Sequence, residues 1–370
     1  MNRLPPLPLI DGAFFVSSSF LEEVQRCSRA SQFYKLDARV LDKPASALNF
    51  GKHLHSALEM HYRLTEFNLS QEETTQRVET LLAQAFTESP NVTDDHRTLN
   101  WATELYKRYA EKYQFENFDL LQYKEPQPCK YCLTIKQDNP GKPCPWCNGT
   151  GQSKVMSEVS FAFKLFDYEP DTEEEKSVLF AKTGLFSIPI YYHGYLDLPV
   201  SVSGQIFILD FKTAFQLGNS FFEDKKMKAQ QKGYCYGLQE TTSLNPAGFI
   251  IRAIRSTAPP LWLTKGEETS NRPRNGKEPK KLSDWWNDAL QEERFYLGDG
   301  ELEEWKLNSI ALVEEFFWHY QRGYFPKKDS TCAAPFRCQY FDVCSTFPAS
   351  DRDFILKSGL FKDKETRLAK

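Results

Sequence analysis

A chain of 370 residues, 41% hydrophobic and 14% aromatic, can bury a large core in one elaborated domain or two, which excludes intrinsic disorder. No apolar run reaches the roughly 18 residues of a membrane span, so no membrane role is expected. Lys and Arg total 46 against 50 Asp and Glu, a net charge of −4, so affinity for nucleic acid has to come from a local basic groove.

The opening MNRLPPLPLIDG lacks the form of a secretory signal, and a cytoplasmic protein is expected. Residues 1–16 are Pro-rich and then apolar, a docking arm or a first short strand. Ser19-x-x-Glu22 forms a capping box opening a helix to about Ala30, with Cys27 on it. Over residues 46–64, Phe50, Leu54, Leu58 and His61 recur at helical spacing, as do Gly51, His55 and Glu59. Gly51 costs such a helix about 1 kcal/mol against Ala, so close packing or function has to explain it. His55 is a candidate metal ligand or an ordinary packed histidine. Ser70-x-x-Glu73 caps a further helix to about Phe86, and another spans Asp94 to about Tyr113, with Leu99, Tyr106 and Tyr109 packing.

Nine cysteines in an apparently cytosolic chain favour metal over disulfides. Cys129, Cys132, Cys144 and Cys147 form two Cys-x-x-Cys knuckles, a spacing suited to tetrahedral Zn²⁺ in a closed structural site. For either pair alone, a redox dithiol is the alternative. The segment is small enough to be an insertion stabilised by its metal. Residues 155–166 read as a strand, and DTEEEK after it as a solvated acidic loop.

From Tyr191 to Lys212, two runs of β-formers flank Val202-Ser203-Gly204-Gln205, a hairpin signal. With Ser203 and Gly204 as the turn, Asp197 stands opposite Asp210, their Cβ atoms about 4.5–5.5 Å apart. Lys212 joins the face of Asp210, while Phe207, Leu209 and Phe211 point the other way. Pro199 cannot donate to the ladder, so a bulge or edge position could shift the register. Two carboxylates can hold Mg²⁺ or Mn²⁺, and an amine beside the ion can orient or activate water. The plain alternative is an Asp–Lys ion pair on a solvated strand face. Its place at the end of the apolar run IFILDF favours the functional assignment, because burying charge without a use is costly.

Residues 221–241 read as a helix carrying Gln230 and Tyr234 on one face, and 247–254 as a buried strand. A sheet of at least four or five strands with helices on both faces follows. Residues 256–282 form a loop whose basic run Lys277 to Lys281 offers charge to phosphates. Packed structure resumes at Trp285 and Trp286 and in a helix around 300–322. Cys332, Cys338 and Cys344 then need a fourth thiolate, for which Cys27 is the natural donor, and Cys235 is left over.

On these residues the chain resembles the PD-(D/E)XK nuclease superfamily, in its RecB/AddB-type branch. Gly194-Tyr-Leu-Asp197 resembles the first acidic motif, and Asp210-Phe-Lys212 the (D/E)-x-K motif. Phe50-Gly51 to His55 is similar to the helix that supplies a metal-binding His, and Gln230 to Tyr234 to the Gln-x-x-x-Tyr motif. Glu158 lies where an additional acid often precedes the sheet. Cys147-Asn-Gly149-Thr-Gly151 resembles a DnaJ-type zinc repeat unit. The tail FRCQYFDVC, with Cys27, resembles a terminal [4Fe–4S] site, although the long gap from Cys332 to Cys338 leaves Zn²⁺ open.

The resemblance implies a mixed α/β fold, a restriction-endonuclease-like sheet flanked by helices, with a zinc insertion and a terminal iron–sulfur staple. It divides the chain into an N-terminal helical part (1–125), the knuckle (126–153), the core sheet (154–256), the basic loop (257–282) and C-terminal helices with the cysteine cluster (283–370). It implies a Mg²⁺- or Mn²⁺-dependent deoxyribonuclease, most simply an exonuclease in recombination, repair, phage replication or CRISPR-type processing. Asp197, Asp210 and His55 would be ligands, Lys212 would position water, and Gln230 and Tyr234 the substrate. Partners would be DNA and a helicase, recombinase or integrase-type protein. The rivals are a catalytically silent DNA-binding or assembly subunit and an iron–sulfur redox protein, the latter without any flavin or nicotinamide fingerprint.

Overall fold

The computed structural model describes residues 4–42, 46–89, 97–129, 131–132, 144–259, 282–333, 337–346 and 350–364. The N-terminal half holds β1 (Phe14–Val16), α1 (Ser18–Arg26), α2 (Ser28–Lys35), β2 (Arg39–Leu41), α3 (Ser46–Leu64), α4 (Gln71–Glu88) and α5 (Leu99–Lys112). β3 (Asp119–Leu120), β4 (Gln122–Pro128), β5 (Gln152–Val155), β6 (Val159–Tyr168) and α6 (Glu173–Thr183) follow. The central segment is β7 (Ile188–Leu196), β8 (Leu198–Val202), β9 (Gln205–Ala214), α7 (Asn219–Met227), α8 (Ala229–Thr242) and β10 (Pro246–Arg255). The chain closes with α9 (Leu282–Ala289), β11 (Leu290–Tyr296), α10 (Glu301–Arg322), α11 (Phe341–Ser345), α12 (Ser350–Lys357) and β12 (Phe361–Asp363). The fold is mixed α/β, as expected. No described helix is long and apolar enough to cross a membrane.

The central sheet is mixed, in the order β11-β10-β9-β8-β3, with β9 and β10 parallel and the other pairs antiparallel. Alternation along β9 sorts its side chains between two cores. Phe207, Leu209 and Phe211 pack with Phe50, Leu54 and Tyr109 of α3 and α5, while Ile208 faces the core shared with Leu238 of α8 and Phe316 of α10. Helices therefore cover both faces.

Ser203 and Gly204 form the β8–β9 turn with φ of 50° and 81°, the left-handed pair a tight hairpin wants. Val202 pairs with Gln205 and Leu198 with Leu209, so Pro199 introduces no shift. The long first arm of that hairpin is corrected, however. It breaks at Asp197, because β7 belongs to a separate three-stranded sheet, β1-β7-β6. Asp197 is the residue at which the chain passes from one sheet to the other.

Other expectations are also corrected. Ser17, not Ser19, is the N-cap of α1, and Cys27 lies in extended backbone between α1 and α2. The run DTEEEK is not a loop: Thr172 caps α6 by accepting from the Glu175 N–H, and three glutamates sit at its positive end. The expected helix over 221–241 is two helices broken at extended Lys228. The strand expected over 155–166 is interrupted at Met156 to Glu158, between β5 and β6. The basic run Lys277 to Lys281 lies outside the described residues. The Ser70–Glu73 capping box forms in full.

Arg252 on β10 is almost wholly buried and anchors α3 and α5 to the sheet. Its guanidinium donates to Tyr62 and Tyr109 hydroxyls at 2.7 Å, to Glu116 at 2.8 and 3.0 Å, and to Glu292 at 2.8 Å. A buried guanidinium with its donors satisfied by two carboxylates escapes the penalty of an unpaired charge.

Candidate active site

Where β7 gives way to β8, the backbone can no longer continue a ladder, and a side chain takes over. The Phe211 N–H donates to Asp197 Oδ2 at 2.8 Å. Asp197 is thereby fixed to β9 beside Asp210. Asp210 is 1% exposed and is held from two sides, by Lys212 Nζ at 2.8 Å and by Gln231 Nε2 at 3.0 Å. His55 arrives from α3 with Nδ1 3.6 Å from Asp197 Oδ2. Four predicted residues, His55, Asp197, Asp210 and Lys212, are thus brought together.

Gly51 explains why α3 can come so close. A Cβ there would stand 2.8 Å from Thr213 Oγ1, next to Lys212 on β9, so the close packing its presence required is observed. One turn after His55, Glu59 is buried and accepts from Arg63 at 3.0 Å and from the Tyr131 hydroxyl at 2.6 Å. Glu158 sits at φ 47° and donates its N–H to the Asp197 carbonyl at 2.8 Å. A left-handed non-glycine is costly and clusters at working sites. His55, Glu59, Glu158 and Lys212 line a cleft of about 1070 Å³.

Charge in this site is out of balance. Burial, then the neighbouring Asp210, pushes the Asp197 carboxyl up to about 7. Burial works against the Lys212 ammonium, but Asp210 and Asp197 more than offset it, so Lys212 is held charged. Burial, then Lys212, lowers His55, leaving the neutral imidazole that ligates metals. Two crowded carboxylates and a neutral imidazole are a donor set that fits a divalent cation, whose charge would relieve Asp197.

Gln230 and Tyr234 share one face of α8, as expected. Gln230 donates to the Tyr234 hydroxyl at 2.7 Å, and both line a neighbouring cavity. The α8 residue that touches Asp210 is Gln231, which sequence reasoning missed. Its signal was the position of the helix start: α8 begins at Ala229, and that origin decides which glutamine faces the sheet.

The knuckle hangs from the tip of the β4–β5 hairpin, with Pro128 paired to Gln152. Among the described residues, Cys129, Cys132, Cys144 and Cys147 are the one group of three or more such donors whose ligand atoms all lie within 4.8 Å of one another. The Gly151 N–H donates to Cys147 Sγ at 3.2 Å, and Tyr131 stacks on Trp146 at 3.9 Å. Four converging thiols with an N–H directed at one sulfur fit a tetrahedral zinc site. The terminal cysteines meet in another corner, more widely spaced. Cys27, Cys338 and Cys344 share a small packed cluster, and the Cys338 N–H donates to the Cys332 carbonyl at 2.8 Å. Cys235 is buried against the Gly248 carbonyl, away from both groups.

The model of the PD-(D/E)XK nuclease superfamily matches residues 16–345. The chain belongs to that superfamily. The match spans His55, Asp197, Asp210 and Lys212 and both cysteine groups as far as Cys344. No curated protein matches the chain.

Proposed function

We propose that this superfamily member is a Mg²⁺- or Mn²⁺-dependent deoxyribonuclease of RecB/AddB type, acting from a DNA end. Asp197, Asp210 and His55 would hold the cation, which supplies Lewis-acid stabilisation of charge on a phosphate oxygen. What supports this is the meeting of His55, Asp197, Asp210 and Lys212 at the parting of two sheets, inside a family-matched segment. Lys212, held as an ammonium, donates hydrogen bonds to water or phosphate and does not act as a base. Gln231 fixes Asp210, and Glu158 lines the cleft as a further acid. In hydrolysis, the oxygen of water adds to phosphorus and the ester P–O bond breaks, with the water proton passing to solvent or leaving oxygen.

Zinc in the knuckle and a [4Fe–4S] cluster on Cys27, Cys332, Cys338 and Cys344 complete the proposed cofactors. The packing of Cys27, Cys338 and Cys344 in one cluster supports a shared metal group there. Both groups are structural in this proposal, with DNA and a helicase, recombinase or integrase-type protein as partners.

The test is cleavage of end-labelled single- and double-stranded DNA and of covalently closed circles with Mg²⁺, Mn²⁺ or chelator. Asp210→Asn and Lys212→Ala are expected to lose about 10²–10⁴-fold in rate, the range of a positioned polar group. Cleavage by either variant at the wild-type rate would overturn the assignment, and cleavage of circles would replace the exonuclease with an endonuclease.

A further inference from the structure

On the other side of Tyr195 from the catalytic cleft lies a second cavity of about 480 Å³. Tyr195 lines both, so the two are neighbours along one path. Lys35, from the end of α2, and Lys364, after β12, come from opposite ends of the chain to line it. Neither ammonium is in ion-pair contact with a carboxylate among the described residues. Lys35 donates to the Phe15 carbonyl and lies 4.6 Å from the centre of the Phe14 ring. Lys364 lies 3.4 Å over Tyr34. The carboxylate of Glu23 is engaged by Arg26 at 2.6 Å. His193 adds a third basic group, and its buried Nδ1 has no hydrogen-bond partner among the described residues.

Lys364 disfavours charge on Lys35, and both disfavour it on His193. Burial, then Lys364, lowers Lys35 to about 7, and burial lowers Lys364 to about 8 against the attraction of Glu23. Burial, then Lys35 and Lys364, takes His193 to about 4. An anion would reverse the repulsion between the amines and give the His193 ring a partner. The N-terminus of α1 adds its dipole at the same wall, where the Ser17 side chain makes no cap hydrogen bond. Tyr195 and Tyr234 supply aromatic faces on which a base can stack.

We propose that this cavity binds a phosphate group of the nucleic-acid strand beyond the scissile bond, with Lys35, Lys364 and His193 as its phosphate contacts. The proposal rests on the nuclease assignment for the identity of the strand, and it assigns Gln230 and Tyr234 to strand binding away from the reacting phosphate. A phosphodiester neutralised in the cavity leaves a signature in salt dependence. For single strands the slope of log K against log salt falls by about 0.7 per phosphate neutralised.

The experiment uses the full chain in chelator, so that nothing is cleaved. Binding of a fluorescent single-stranded oligonucleotide is titrated across salt for the wild type, Lys35→Gln, Lys364→Gln and the double variant. The double change is expected to lower the slope by about 0.7, and each single change by a part of that. Thermal melting accompanies every titration, and Lys364→Gln alone decides if Lys35→Gln fails to fold. Wild-type slopes in the folded variants overturn the proposal. A second arm measures stabilisation by inorganic phosphate and by a nucleoside monophosphate. Loss of that response with wild-type strand slopes also overturns it, and makes the cavity a site for a free phosphate ligand. Cleavage with metal is run in parallel: reduced slopes without cleavage sink the nuclease assignment alone, and cleavage with unchanged slopes sinks this one alone.

Discussion

Asp197 is the residue whose proposed work costs the fold most. Its carboxyl titrates near 3.8 ordinarily and near 7 in the folded protein, raised by burial and then by Asp210. Below about pH 4 it is protonated in both states and the penalty is absent. As pH rises, the unfolded chain gives up its proton first, so stability falls until about pH 7 and is level beyond. At about 1.4 kcal/mol per pH unit, the interval makes ionised Asp197 cost the metal-free fold about 4 kcal/mol. That is a large part of a typical 5–15 kcal/mol. Asp197→Asn removes the titration, while the Asn carbonyl can still accept the Phe211 N–H. Urea unfolding in chelator at pH 4.5 and 8 should therefore show the wild type losing about 3 kcal/mol more than the variant, since about 1 kcal/mol is already lost by pH 4.5. Asp37, raised to about 6 chiefly by burial, titrates in both proteins and cancels in the difference. Mn²⁺ at 100 times its dissociation constant should return about 2.7 kcal/mol to the wild type at pH 8 and little to the variant. Parallel pH profiles for the two proteins would refute the electrostatic account of the site.

Gly51→Ala should force α3 away from Thr213, costing about 1–3 kcal/mol in overpacking against about 1 kcal/mol gained in helix propensity. Its melting temperature should fall, its response to Mn²⁺ should weaken because His55 rides on the same helix, and a raised melting temperature would contradict the packing argument. For the cysteines, anaerobic protein should be brown and carry about one zinc. Cys338→Ala should bleach the colour and keep zinc, Cys144→Ala should do the reverse, and loss of only zinc from both would remove the iron–sulfur assignment.

Much of the site was legible because its signals are local. The turn at Ser203 and Gly204 fixed the register, strand alternation put Lys212 with Asp210, and helical spacing put His55 one turn after Gly51. The rest depends on partners that a local pattern does not encode. A β-run reveals its faces but not its sheet, which is why the break at Asp197 was unseen. An i, i+4 pair reveals a shared helix face but not the neighbouring face, where Gln231 meets Asp210. Lys35 and Lys364 are remote in sequence, and each alone reads as a surface lysine. The acidic run after Thr172 did carry a local signal, a cap followed by acidic residues, and was misjudged because charge runs are so often solvated.

The site has one half that is rigid and one that can be adjusted. Asp197 is held by a backbone N–H of β9, so its place is set by the sheet. Asp210 and Lys212 stand on the same strand. His55 belongs to the other half, because α3 is positioned by side chains: Gly51 against Thr213, Tyr62 against Arg252, and Glu59 against Tyr131. Tyr131 lies between the knuckle's first two cysteines and stacks on Trp146 before its fourth. Its hydroxyl reaches the buried carboxylate of Glu59, which Arg63 ties in turn to the Ser157 carbonyl beside Glu158 at 3.3 Å. A knuckle ordered by metal therefore bears on the helix that delivers the imidazole, and disorder in it would be felt first at His55. The insertion thus touches the helix that carries His55.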